Sequence, residues 1–200
     1  MSNRLILIPR WSGTPDSDWY PWLQRQLALR APSTFDRVVV GDMPNPHLPA
    51  IEAWVAKVLE LLGSDPEEIA RTLLVGHSVG CLAILRTLAR LPDGARVSGT
   101  LCVAGWFAVD QPWDSLRPWS NTPLDWEHAR RAAGELVVLL SDNDPFTSDV
   151  NANRREWQQR LGATVHVVPG AQHFNHSRQP LVLETLLAMA TDQENSVPHS

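Results

Sequence analysis

Three residues far apart in this chain, met in the order Ser, Asp, His, have between them the chemistry to open an acyl bond. Ser78 stands in Gly76-His77-Ser78-Val79-Gly80, Asp144 in Ser141-Asp142-Asn143-Asp144-Pro145-Phe146, and His173 in Pro169-Gly170-Ala171-Gln172-His173-Phe174. A serine hydroxyl is a weak nucleophile until a neighbouring imidazole takes its proton. That imidazole in turn needs a carboxylate to fix its tautomer.

The five residues around Ser78 lie between an apolar run, Thr72 to Val75, and a second apolar run from Cys81 to Leu85. A serine at a sharp strand-to-helix turn sits in strained backbone, and small residues two before and two after it let strand and helix approach. Such a turn lifts the hydroxyl clear of the sheet. It also leaves the Val79 N–H, a first-turn helix donor without an intrahelical partner, facing the place of a substrate carbonyl.

His173 is the candidate base because it is the first histidine in the loop after the last predicted strand, whereas His176 lies nearer the following helix. His77 is pinned in the turn and faces the strand side. His166 falls inside a strand, and His47, His128 and His199 have no motif around them and are read as solvated. For the acid, Asp144 is preferred because Pro145 forces it into an extended turn. Asp142 is the competing choice, with a role as a turn cap.

The elements that must carry these residues alternate along the chain. Strands are expected at Leu5–Pro9, Val38–Val40, Thr72–Val75, Thr100–Ala104, Leu136–Leu140 and Thr164–Val168. Helices are expected at Asp16–Arg30, from Pro49 to Leu62, after Ser78, near Leu124–Ala132, at Asp149–Leu161 and at Pro180–Ala190. Apolar strands each followed by a helix predict an α/β three-layer sandwich, a mostly parallel sheet covered on both faces. Ligands bind such sheets beyond the carboxyl ends of the strands, where strand order reverses. With the first strand central, the loop Arg10-Trp11-Ser12-Gly13 converges there on His77-Ser78-Val79.

Composition narrows the function classes. At 200 residues, 44% hydrophobic and 20% charged, residues 1–190 read as one globular domain and 191–200 as a polar, flexible tail. A net charge of −5 without a Lys/Arg run argues against a nucleic-acid or anionic-membrane partner. No segment has the length to span a bilayer or the layout of a signal peptide. Cys81 and Cys102 read as buried free thiols, which together with those features gives a cytoplasmic expectation. No metal or other cofactor is expected, since no His/Cys/Asp cluster has ligand spacing and no glycine-rich phosphate loop follows the first strand.

With these residues laid out, the chain resembles the small α/β-hydrolase-fold serine hydrolases related to retinoblastoma-binding protein 9 and the bacterial YdeN-type proteins. The resemblance runs to about Ala190 and rests on Leu7-Ile8-Pro9, Trp19-Tyr20-Pro21-Trp22, Asp42-Met43-Pro44-Asn45-Pro46, the Ser78 turn, the Ser141–Phe146 loop and His173-Phe174-Asn175. It implies strand order 2-1-3-4-5-6, no lid domain, and Ser78, Asp144 and His173 as the triad.

Two positions depart from the pattern. Arg10-Trp11-Ser12-Gly13 is not a His-Gly-Gly type loop, so the second oxyanion donor is expected from the backbone N–H of Arg10 or Trp11. Gln172 stands where hydrolases of this fold often have glycine, so the loop is expected to avoid positive φ there. The stretch after the fourth strand supplies the candidate substrate pocket, Trp106, Phe107, Trp113 and, further on, Trp119. Trp106, Trp113 and Trp119 either line an apolar acyl site or pack as rim residues. The expected partner is a small-molecule acyl substrate, an ester, thioester or amide; the oligomeric state is left open. The competing expectation is a protein-interaction or ligand-binding module on a hydrolase fold.

Overall fold

A computed structural model of the protein describes residues 3–195. Its centre is a six-stranded sheet in the order β2-β1-β3-β4-β5-β6, every neighbouring pair parallel. The strands are β1 Asn3–Ile8, β2 Phe35–Val40, β3 Thr72–His77, β4 Gly99–Val103, β5 Glu135–Ser141 and β6 Thr164–Val168. β1, β3 and β4 are buried at every position. Their alternation sorts the core into two layers, as a period of two requires. Leu5, Leu7, Leu73, Val75, Leu101 and Val103 pack on one side with α1 (Tyr20–Arg30) and α8 (Pro180–Asn195). Ile6, Ile8, Leu74, Cys102 and Val138 pack on the other. They meet α2 (Ile51–Leu62), α4 (Val79–Leu88), α6 (Trp126–Ala132) and α7 (Val150–Leu161). Two short helices, α3 (Pro66–Ala70) and α5 (Arg117–Asn121), complete the elements.

Several boundaries differ from the sequence expectation, each for a local reason. α1 begins at Tyr20 rather than Asp16, because Asp18 has φ +50 and turns its carboxylate onto Arg10. Pro49 lies outside α2, whose N-cap is Ala50. β2 begins at Phe35, since an edge strand leaves Asp36 and Arg37 in contact with solvent. α8 runs on to Asn195, five residues past Ala190, so the first part of the expected tail is helical. Residues 196–200, His199 among them, lie outside the described residues. Cys81 and Cys102 are both buried and free. Among the described residues no helix is long and apolar enough to cross a membrane.

The turn between β3 and α4 is built on close backbone approach. A Cβ on Gly80 would stand 2.3 Å from the Ile8 carbonyl oxygen and 2.7 Å from that of Pro9, and one on Gly76 would stand 2.6 Å from Cys81 Cα. Those neighbours are main chain at the carboxyl end of β1 and in the first turns of α4 and cannot yield. Gly94, by contrast, has φ +82 and open space around its missing Cβ. Gly80→Ala is therefore expected to cost about 3 kcal/mol or more through overpacking. Gly94→Ala should cost only the left-handed backbone penalty of about 1–2 kcal/mol. Urea unfolding of the two variants checks the difference.

Candidate active site

β3 delivers Ser78 into the turn at φ +56 and ψ −121, a conformation other residues seldom hold. The Ser78 N–H donates to the Val103 carbonyl at 2.8 Å, which ties the turn to the end of β4. Its Oγ accepts from the indole N–H of Trp106 at 3.3 Å. The hydroxyl proton is thus left to be given elsewhere.

Asp144 and His173 come from the loops after β5 and β6 and meet in a buried pair, His173 Nδ1 to Asp144 Oδ2 at 2.7 Å, with side chains 3% and 6% exposed respectively. A carboxylate only accepts, so Nδ1 carries a proton, and in the neutral imidazole Nε2 is then the nitrogen with the lone pair. The Phe146 N–H donates to the other Asp144 oxygen at 2.9 Å. Asp142 does not reach His173; its carboxylate takes the Gly170 N–H at 2.8 Å, and Asn143 Oδ1 takes that of Gln172 at 2.8 Å. The two residues between Ser141 and Asp144 therefore clamp the histidine loop to the acid loop. That clamp holds Gln172 at φ +52, contrary to the expectation that a non-glycine residue there would keep the loop out of positive φ.

Beneath the site lies a second imidazole. His77 Nε2 donates to the His173 carbonyl at 2.8 Å, and its Nδ1 lies 2.7 Å from Tyr20 Oη. Because a carbonyl only accepts, Nε2 holds the proton, and the tyrosine hydroxyl must donate to Nδ1. Tyr20 Oη in turn accepts the Arg10 N–H at 3.2 Å. This chain corrects one expectation: the Arg10 N–H is already engaged. Of the next N–H groups, Ser12 donates to Pro46 at 2.8 Å and Gly13 to Arg10 at 2.9 Å. Trp11 N–H and Val79 N–H meet no acceptor among the described residues. Arg10 still acts through its side chain. Its guanidinium grips Asp18 at 2.7 and 3.1 Å and the Trp11 carbonyl at 2.8 Å.

Ser78 and His173 open onto one cavity of about 270 Å³. Trp106 and Trp113 line it. Trp113 stacks on Trp11 with ring centroids 4.7 Å apart and planes 4° from parallel. Phe107 and Trp119 do not line it. The Phe107 ring packs against Trp126 and Trp157, and Trp119 is buried on Trp54 with its indole N–H on the Pro49 carbonyl at 2.8 Å. Lining residues that the sequence did not single out are Val109, Leu116, Phe146 and Asn175. Of these Phe146 and Asn175 had a signal, each two residues beyond a triad candidate. Asn153 had none. From inside α7 its amide takes the Phe107 and Ala108 N–H groups at 2.7 and 3.2 Å and so holds the loop after β4. His47, read as solvated, meets Ser12 Oγ and the edge of Trp11. Among the described residues no three His, Cys, Asp or Glu gather as a metal set.

The family model described as "Serine hydrolase" matches residues 5–186. The YdeN protein of Bacillus subtilis (strain 168) is 26% identical over 177 residues, 87% of each chain. Serine hydrolase RBBP9 of Rattus norvegicus is 19% identical over 192 residues, 94% of this chain and 96% of its own. The crystal structure of the B. subtilis ydeN gene product superposes with a TM-score of 0.81 at 23% identity, covering 95% of this chain and 100% of the other.

Burial holds the His77 pKa well below its ordinary 6.5, and the neighbouring His173 pushes the same way. The folded protein thus refuses a proton that the unfolded chain accepts below about pH 6.5. The resulting stability is present above that pH and is lost as pH falls. Wild type should lose up to about 1.4 kcal/mol per pH unit more than His77→Gln below pH 6.5. Urea unfolding of both proteins at pH 7 and pH 5 measures it.

Proposed function

The chain belongs to the serine hydrolase family, and on that premise we propose that it hydrolyses small carboxylic esters, thioesters or amides through Ser78, His173 and Asp144. The observation that carries this is the buried Asp144–His173 pair at 2.7 Å, with His173 opening onto the same cavity as Ser78. His173 Nε2 takes the Ser78 proton as Oγ attacks the carbonyl carbon, and the π pair moves onto the carbonyl oxygen. The Val79 and Trp11 N–H groups stabilise that oxyanion; one such donor is worth about 2.7–4 kcal/mol elsewhere.

Collapse re-forms the carbonyl and breaks the bond to the leaving group, which departs with the proton from His173. Water then attacks the acyl-enzyme and gives its proton to His173. The second collapse expels Ser78 Oγ, which recovers that proton, and releases the carboxylic acid. Asp144 stays ionised and steadies the imidazolium.

A cavity of about 270 Å³ sits at or below the range of about 300–1,000 Å³ usual for drug-sized ligands. Besides Ser78, His173, Arg10 and Asn175, its walls are Trp, Leu, Val and Phe side chains, which supports a short, largely apolar acyl substrate. A binding module would need neither a carboxyl group paired with an imidazole nor an N–H without an acceptor directly after a serine.

The test is steady-state hydrolysis of p-nitrophenyl acetate and butyrate. By analogy with a dissected serine protease triad, Ser78→Ala should lower kcat by about 10⁶-fold and Asp144→Asn by about 10⁴-fold. Equal rates for wild type and Ser78→Ala would favour the binding module.

A further inference from the structure

Trp106 borders two cavities. Besides the one holding Ser78 and His173, a smaller cavity of about 70 Å³ is lined by Leu82, Phe107, Trp119 and Trp126 together with the polar Ser120, Thr122 and Arg160, and Trp106 is the one residue common to both linings among the described residues. The indole is 1% exposed. Its backbone is held on either side: the Gly105 carbonyl accepts from Trp157 Nε1 at 3.2 Å, and the Phe107 N–H donates to Asn153 at 2.7 Å. Its own N–H is anchored on Ser78 Oγ at 3.3 Å. The partition between the two spaces is thus fixed at three points.

Resting on the hydrolase reading above, we infer that Trp106 sets the acyl-chain length: its indole ends the acyl pocket and shuts off the second cavity. The orientation follows from the groups around Ser78. The carbonyl oxygen turns to the Val79 and Trp11 N–H groups. The leaving group must lie within reach of His173 Nε2, on the side where Phe146 stands edge-on to that imidazole at 4.8 Å. The acyl chain is left the remaining wall, where Trp106 and Leu116 belong to one buried apolar cluster. A short chain stops against the indole. A longer one needs the space behind it, where Leu82, Phe107, Trp119 and Trp126 offer an apolar side and Ser120, Thr122 and Arg160 a polar one, Arg160 lying over the Phe107 and Trp126 rings at 5.4 and 4.9 Å.

The experiment compares wild type, Trp106→Ala and Trp106→Phe on p-nitrophenyl acetate, butyrate, hexanoate and octanoate, and on acetate esters of lengthening alcohols. Wild type should fall off beyond butyrate. Trp106→Ala should raise the octanoate-to-butyrate ratio of kcat/KM by about tenfold or more, the scale on which a hydrophobic pocket discriminates chain length. The alcohol series should keep its order. Trp106→Phe, which retains an aromatic wall but loses the donor, should keep the acyl order and lower kcat on every ester by one common factor. If Trp106→Ala does not fold by circular dichroism, Trp106→Leu is measured in its place with the same expectation. An unchanged acyl order in the opened variant, or a gain confined to the alcohol series, overturns the inference while leaving the hydrolase reading intact. Wild type inert on every ester removes both.

Discussion

The hydrogen bond from His77 Nε2 to the His173 carbonyl, 2.8 Å long and buried, joins the two loops of the Ser78–Asp144–His173 set that are most distant in sequence. It runs from the turn that presents Ser78 to the loop that presents the imidazole. Both ends are out of water, so leaving either group unpaired costs about 1–3 kcal/mol. The same ring is fixed from behind by Tyr20, whose hydroxyl oxygen also holds the Arg10 N–H. One neutral histidine therefore sets the spacing of three loops. Burial keeps it neutral, and neutrality lets one nitrogen donate while the other accepts.

The loops so joined store backbone strain where the chemistry is proposed. Ser12, Ser78, Ala104, Gln172 and Phe174 all have positive φ without being glycine, and each lies in a loop that borders the cavity or holds a residue that does. Such conformations persist only when surrounding contacts over-determine them. Here those contacts are visible: the Val103 carbonyl on Ser78 N–H, the Pro46 carbonyl on Ser12 N–H, and Asn143 on Gln172 N–H. The rigid sheet beneath, with β1 and β3 wholly buried, supplies the frame against which the strain is held.

Much of this frame was legible in the residues. The strands announced themselves as short apolar runs because parallel strands covered on both faces carry no polar alternation. The Ser78 turn was legible because its two glycines answer a steric demand that any sequence must meet. Pro145 and loop order pointed to Asp144 over Asp142 as the partner of His173, and the two side chains meet at 2.7 Å. What could not be read was set by contacts across the fold. Nothing near Trp119 in sequence tells that its indole reaches Pro49, nor near Phe107 that its ring turns to Trp157. The choice between the Arg10 and Trp11 N–H groups hung on a tyrosine ten residues away. Positive φ at Gln172 is likewise a tertiary outcome, since Asn143 holds a backbone that local preference would avoid.

The central claim is that the Ser78 hydroxyl is lifted into a shared cavity and made reactive there by His173. Peptide mapping by mass spectrometry after treatment with a fluorophosphonate tests it most directly. The account predicts a single phosphonylated peptide containing Ser78, formed stoichiometrically in the folded protein and absent after urea unfolding. A label on Ser12, on any other residue, or on none would contradict it.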